Sequence, residues 1–313
     1  MQTTHAVELI AKVRENLCRV IIGKQKQIDY VLAALISGGH LLLEDIPGVG
    51  KTTLVKALAA SVGGKVSRIQ FTPDLLPTDI VGGSIYNQKD GQFHFNPGPL
   101  FANVILADEI NRASPRTQSA LLEAMGEKQI SIDGKSIRLE PPFVVIATQN
   151  PVDSHGTYPL PEAQLDRFCM QLSLGYPTTS ELKSIMLGDG GTAKLDELTP
   201  AMSLEELLLI QALANKVEIE NSVADYLLAL VDATRSHQAV KFGVSPRGAI
   251  AFLATVRALA FMNGRLYVLP DDLKKLAVPV LAHRLVLDMK SKYAGIHKDT
   301  VITEILSTVR VPR

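Results

Sequence analysis

The 313-residue chain has no tryptophan, only 5% aromatic residues and only two cysteines. Base stacking needs aromatic rings, so a platform for single-stranded nucleic acid is disfavoured. Cys18 and Cys169 stand far apart, and two isolated thiols make neither a disulfide framework nor a zinc site. Charge of one sign is also missing: 32 Lys and Arg balance 32 Asp and Glu. The basic excess of a typical nucleic-acid binder is therefore absent. No apolar run approaches the ~20 residues that a membrane-spanning helix needs. The opening stretch MQTTHAVELIAKVRENLCRV spaces charges among its apolar residues at helical intervals, unlike a signal peptide. The expected setting is the reducing cytoplasm. What remains is 46% hydrophobic and 20% charged, a globular balance. The length suits about two domains.

The pattern predicts two halves. Short apolar runs at 41–43, 66–71, 104–107 and 143–148, with helices between them, predict a parallel sheet covered on both faces. Ser114 and Pro115 open one intervening helix as N-cap and first residue, with Leu121, Leu122 and Met125 as its apolar stripe. Two hairpins interrupt this scheme. One turns at Asp90-Gly91 between 85–89 and 92–95; the other turns at Asp133-Gly134 and sets Ile130 and Ile132 against Ile137 and Leu139. Beyond Tyr176-Pro177 strands are expected to stop. Ser203 and Glu206 form a capping box, and further helices are predicted at 223–236, 246–262 and 270–287, the last bent at Pro279.

Three strand tips carry chemistry. Pro47-Gly48-Val49-Gly50-Lys51-Thr52 lies between the 41–43 strand and a helix, the setting of a phosphate-binding loop. Its glycines let backbone N–H groups turn toward an anion, and the helix start adds partial positive charge. Lys51 is suited to β- and γ-phosphates and Thr52 to Mg2+. Asp45 stands where the usual pattern has another glycine. The 104–107 strand ends in Asp108 and Glu109, which places a metal ligand and a base at the carboxyl edge of the sheet. The 143–148 strand ends in Gln149-Asn150-Pro151, either a phosphate-sensing amide or an ordinary turn.

Two arginines carry open alternatives. Arg167, after the loop that begins at Gly156, is either an ion-pair partner to a neighbouring acid or a stabiliser of transition-state charge in an adjacent subunit. Arg247 lies in the first turn of a helix opened by Ser245-Pro246, where the dipole disfavours a cation. A bound phosphate or a nearby acid would compensate it. The seven histidines, His155 included, show no metal-binding spacing.

The segments LEDIPGVGKT (43–52), ADEINRA (107–113), ATQNP (147–151) and LPEAQLDRF (160–168), closed by SPR (245–247), resemble those of MoxR-family AAA+ ATPases, a helix-2-insert clade. The resemblance spans nearly the whole chain. It implies a P-loop α/β core over 1–176, with inserted hairpins at 83–97 and 129–140, and a small all-α lid over 177–313. It further implies that Pro47, Gly48, Val49, Gly50, Lys51, Thr52 and Thr53 hold ATP, with Ile21, Ile22 and Gly23 against the adenine. Thr52 and Asp108 would hold Mg2+, Glu109 would act on the attacking water, and Asn150 would be sensor 1. Arg167 becomes an arginine finger and Arg247 sensor 2. Asp45 is common in this family's loop.

Such proteins act as rings, often hexamers, that remodel a target complex or assist metal insertion. A von Willebrand factor A domain protein is a frequent partner. The expected function is therefore ATP hydrolysis at the junction of core and lid, by a chaperone-like ring. Two rivals stand beside it. A nucleotide-gated scaffold would need neither Glu109 nor Arg167. A DNA motor would need a local basic face, for which Lys89, Lys128, Lys135 and Arg138 are the candidates.

Overall fold

A computed structural model of the chain describes residues 1–132, 134–150 and 157–312; Asp133, Pro151, His155 and Gly156 lie outside them. The chain lays down β1 (Leu41–Glu44) and β2 (Val66–Gln70), then a hairpin of β3 (Gly82–Asn87) and β4 (Gln92–Pro97). Next come β5 (Val104–Asp108), a second hairpin of β6 (Gln129–Ile132) and β7 (Lys135–Arg138), then β8 (Val144–Gln149) and β9 (Met170–Leu172). Strands β2, β5, β8, β1 and β9, in that order, form one parallel sheet.

Side chains alternate between the faces of a strand, and the core divides accordingly. Leu41, Leu43, Val104, Leu106, Val144 and Ile146 meet the helices Thr3–Val20, Gln25–Ile36 and Lys51–Ser61 on one face. Leu42, Ile105, Ala107, Val145 and Ala147 meet the helix Pro115–Glu127 on the other. Central strands β5 and β8 are buried almost throughout, whereas edge strand β2 buries only Ile69. Each leucine buried in this way stabilises by about 1.5–3 kcal/mol.

The helical second half packs onto the first face. The helices Asn221–Ser236, Pro246–Met262, Pro270–Leu281 and Lys298–Thr308 share one continuous core with the N-terminal helices. Ser114 and Ser203 cap their helices as expected.

Four sequence expectations need correction. Strand β9 was not foreseen, because three residues are too few for a period of two to register. Strands do not stop at Tyr176: β10 (Val240–Phe242) pairs antiparallel with β11 (Val286–Leu287). In the second hairpin Ile130 does face Ile137, but Ile132 lies opposite Lys135, and Leu139 bonds back to Lys128. The helix expected over 270–287 ends at Leu281. Pro279 cannot donate to the Lys275 carbonyl one turn back, and the Tyr30 hydroxyl supplies that bond at 3.0 Å. The chain then turns at 282–284, where His283 and Arg284 reach carbonyls of the core; those tertiary bonds override helix propensity.

Candidate functional site

The loop after β1 is shaped by two left-handed glycines, Gly48 (φ 84°) and Gly50 (φ 94°). Residues with a Cβ adopt this conformation reluctantly. Gly50 is also the N-cap of Lys51–Ser61, and no side chain caps that helix. Its first N–H groups and dipole are thus left to an anion. Lys51 Nζ donates to the Asp45 carbonyl at 2.8 Å. Burial holds the Lys51 ammonium below its usual pKa, while Asp45, Asp108 and Glu109 pull it upward. Thr52 and Thr53 follow, half-buried, in the same turn. Ile21 Cδ1 lies 3.9 Å from where a side chain on Gly50 would begin, so the stretch Ile21, Ile22, Gly23 abuts the loop that includes Pro47 and Val49.

Asp45 proves to be an anchor. Its buried carboxylate accepts the Leu174 N–H at 2.5 Å, the Gly175 N–H at 3.1 Å and the Ser173 hydroxyl at 2.8 Å. The base of the loop is thereby tied to the exit of β9. A glycine at this position would lose all three bonds.

Asp108 and Glu109 close β5 at the same carboxyl edge. Thr148 Oγ1 donates to Asp108 Oδ1 at 2.7 Å and accepts the Glu109 N–H at 2.8 Å. Arg68 donates to Asp108 Oδ2 at 2.7 Å, and Gln70 Nε2 to Glu109 Oε2 at 3.1 Å. Arg112 Nε is 3.3 Å from Glu109 Oε2. Glu109 itself sits at φ 57°, ψ 49°. Left-handed backbone in a non-glycine residue is strain of the kind held at functional sites. Thr148, Arg68, Gln70 and Arg112 were missed from sequence. A signal existed: Arg68 and Gln70 alternate on β2, so both side chains leave the same face. Asn150 is half-buried one residue beyond β8, on this edge; beside it, Gln149 Oε1 is buried with no partner among the described residues.

Arg167 and Arg247 are elsewhere. Met170, the first residue of β9, is level with Leu41, the first residue of β1. Arg167 precedes β9 and so lies at the amino edge of the sheet, while the phosphate loop follows β1 at the carboxyl edge. The four residues of β1, roughly 13 Å of strand, separate them. Arg167 donates to the Leu122 carbonyl, past the middle of the helix Pro115–Glu127, and forms no ion pair with an acid among the described residues. The neighbouring Asp166 carries that pairing, with Arg284. Arg247 is exposed in the first turn of Pro246–Met262, and no acid pairs with it among the described residues. Ser245, two residues before it, donates to Asp166, so Arg247 belongs to the amino edge as well. The structure therefore groups Lys51, Thr52, Asp108, Glu109 and Asn150 at one end, and Arg167 and Arg247 at the other.

A family model described as "ATPase family associated with various cellular activities (AAA)" matches residues 40–170, and an "AAA lid domain" model matches 232–305. Chaperone MoxR1 of Mycobacterium tuberculosis is 42% identical over 304 residues, which cover 94% of this chain and 80% of that protein. The chain belongs to the MoxR family of AAA+ ATPases. Protein MoxR of Methylorubrum extorquens is 28% identical over 96% of this chain and 95% of its own length. A crystal structure from Cytophaga hutchinsonii, 39% identical, superposes with a TM-score of 0.92 over 99% of this chain and 97% of that one.

Within this MoxR-family chain the carboxyl edge fits Mg-ATP. It offers an uncapped helix start, a half-buried ammonium, two carboxylates and a threonine hydroxyl. No group of three or more acidic, histidine or cysteine side chains that could hold a metal by itself occurs among the described residues. No described helix is long and apolar enough to cross a membrane.

Proposed function

We propose that the chain binds Mg-ATP at its carboxyl edge and hydrolyses it within a ring, a hexamer in the simplest case. In that ring Arg167 and Arg247 meet the phosphates of the next subunit. The observation that carries this reading is the separation of the two groups to opposite sheet edges. One chain holds both halves of a hydrolytic site and cannot bring them together, whereas a neighbour can. In this reading Arg247 does not serve its own chain's nucleotide, which the sequence reading puts at the junction of core and lid.

In this reading Lys51 holds the β- and γ-phosphates and Glu109 orients and deprotonates the attacking water. Asn150 contacts that water or the γ-phosphate. Thr52 and Asp108 would hold Mg2+, which when bound offsets phosphate charge. Ile21, Ile22 and Gly23 border the adenine. Division at 176/177 into an ATPase core and a lid belongs to the same proposal. The rival, a scaffold that binds ATP with little turnover, leaves the strained Glu109 and its partners Thr148, Gln70 and Arg112 without a use.

The proposed task is remodelling or assembly of a target protein complex in the cytoplasm, metal insertion included, with a von Willebrand factor A domain partner. It takes support from the relative named chaperone MoxR1 and from the first hairpin. That hairpin exposes Ile85, Tyr86 and Phe93, the last by 71%, with the two rings paired at 5.3 Å. Apolar side chains shown to solvent on a hairpin suit contact with a polypeptide.

The test is complementation. Arg167→Ala and Glu109→Gln subunits, each inactive alone, should regain phosphate release when mixed. Some sites then pair an intact Glu109 with an intact Arg167. A mass-tagged copy reports subunit exchange. Exchange without any gain would refute action across the interface. Diluting wild type into Glu109→Gln controls for one dead subunit stalling a ring, which would give a steeper than linear loss. Native mass measurement with and without Mg-ATP should show nucleotide-promoted rings, because a ligand that binds only the assembled site favours assembly.

A further inference from the structure

We propose that Arg284 is a positioning residue that locks Arg167 and Arg247 into one rigid unit, so that both arginines approach the neighbouring subunit's phosphates together. This rests on the reading of those two residues given above.

Arg284 lies in the turn after the lid helix Pro270–Leu281, and its side chain is 1% exposed. Every nitrogen of its guanidinium is engaged. Nε donates to the Val280 carbonyl at 2.8 Å, within the lid. Nη1 donates to the Asp166 carbonyl at 2.9 Å and to the Asp166 carboxylate. Nη2 donates to the Phe168 carbonyl at 2.6 Å. The carbonyls so held belong to the residues on either side of Arg167. Arg284 thus fixes the backbone from which Arg167 projects, with no hydrogen bond to Arg167 itself among the described residues.

The same contact continues to Arg247. The second Asp166 oxygen accepts the Ser245 hydroxyl at 2.8 Å. Ser245 Oγ in turn accepts the Gly248 N–H at 3.0 Å, as the N-cap of the helix that carries Arg247. That first turn also rests directly on Arg284. A Cβ at Gly248 would lie 2.9 Å from Arg284 Cδ and 3.3 Å from its Nη1. The chain Arg284, Asp166, Ser245 therefore joins the two arginines through buried or half-buried bonds, and it does so across the seam between lid and core.

Stability alone does not call for this arrangement. Well-packed apolar residues commonly match or exceed a buried ion pair. What a guanidinium adds is direction: a planar, rigid set of donors that here engages three carbonyls and a carboxylate. The consequence is mechanical. Lid movement relative to the sheet carries Arg167 and Arg247 together, so the two cannot engage a neighbour's phosphates separately.

The experiment compares Arg284→Lys, which keeps the charge and loses the fork, with Arg167→Ala and Arg247→Ala. Turnover should fall about tenfold to a hundredfold, the scale of a displaced catalytic group. Nucleotide affinity, which resides at the other sheet edge, should be unchanged. Mixing Arg284→Lys with Glu109→Gln subunits should restore phosphate release, as mixing Arg167→Ala with Glu109→Gln should. A residue that merely supported the fold would depress binding as well and would show no rescue.

Where Arg284→Lys does not fold, Ser245→Gly carries the same test. It removes the hydroxyl link and keeps most of the cap, because glycine is an acceptable N-cap. Ser245→Thr, which keeps the hydroxyl, should restore turnover. Wild-type turnover in folded Arg284→Lys or in Ser245→Gly would overturn the inference. So would a parallel loss of nucleotide affinity. If Arg167→Ala is itself not rescued by Glu109→Gln despite exchange, the reading of the arginines fails first and this inference falls with it.

Discussion

Asp45→Ala isolates the anchor beneath the phosphate loop. In the native chain this carboxylate receives the Leu174 and Gly175 N–H groups and the Ser173 hydroxyl. Alanine removes all three acceptor contacts and leaves two backbone donors behind. Leu174 is 2% exposed, so water cannot replace its partner; Gly175 is only half-buried and recovers part of its loss. An orphaned buried donor costs about 1–3 kcal/mol, and bonds to a charged acceptor lie at the upper end. The expected destabilisation is therefore about 3 kcal/mol, or roughly 6 °C in melting temperature for a chain of this size. Asp45→Asn should fall between, because its amide keeps one acceptor oxygen and turns a donor toward a donor. Urea unfolding followed by circular dichroism reads the midpoints, and an unchanged slope shows that the denatured state is the same. Nucleotide binding should survive below the transition, since Lys51 bonds to the Asp45 backbone carbonyl, which alanine retains. A midpoint indistinguishable from wild type would refute the anchor.

Lys51→Ala should abolish nucleotide binding without lowering the urea midpoint much, because the ammonium is only half-buried and donates to a loop carbonyl; a fluorescent nucleotide titration checks it. Glu109→Gln should keep binding and lose phosphate release, because the amide preserves shape and loses basicity; undiminished release would remove its assigned role. Two buried histidines should make the fold acid-sensitive. Burial lowers the pKa of His40 to about 4 and that of His283 to about 3, against an ordinary value of 6.5. Stability is then intact above about pH 6.5. Below it the unfolded chain binds protons that the folded one refuses, at about 1.4 kcal/mol per pH unit for each histidine. His40→Gln should halve that slope between about pH 6 and pH 4.5, and an unaltered slope would show that His40 does not titrate this way. His40 is neutral in the fold: its Nδ1 accepts the Val145 N–H at 3.0 Å and its Nε2 donates to the Met125 carbonyl at 3.1 Å.

The carboxyl-edge half of the site was legible in sequence because it is local. Glycines at fixed offsets, a lysine and threonine at a helix start, and two carboxylates at a strand end need only the neighbouring few residues to be recognised. Four of the five strands of the sheet and the caps at Ser114 and Ser203 were legible for the same reason. Asp45 was visible only as a departure from a pattern, because its partners are more than a hundred residues away.

What only the tertiary structure decided is the relation between distant segments. No spacing shows that β9 lies beside β1 in parallel register, yet that pairing alone puts Arg167 at the edge opposite the phosphate loop. The partner of Asp166 comes from 118 residues further on, in a stretch whose sequence continued a helix pattern. There the helix yields because Pro279 has no N–H to donate and because a buried guanidinium finds carbonyls across the seam. The periodicity of a sequence specifies which face of an element is apolar. Which element meets that face, and at which end, is settled by packing and by the need to pair every buried polar group.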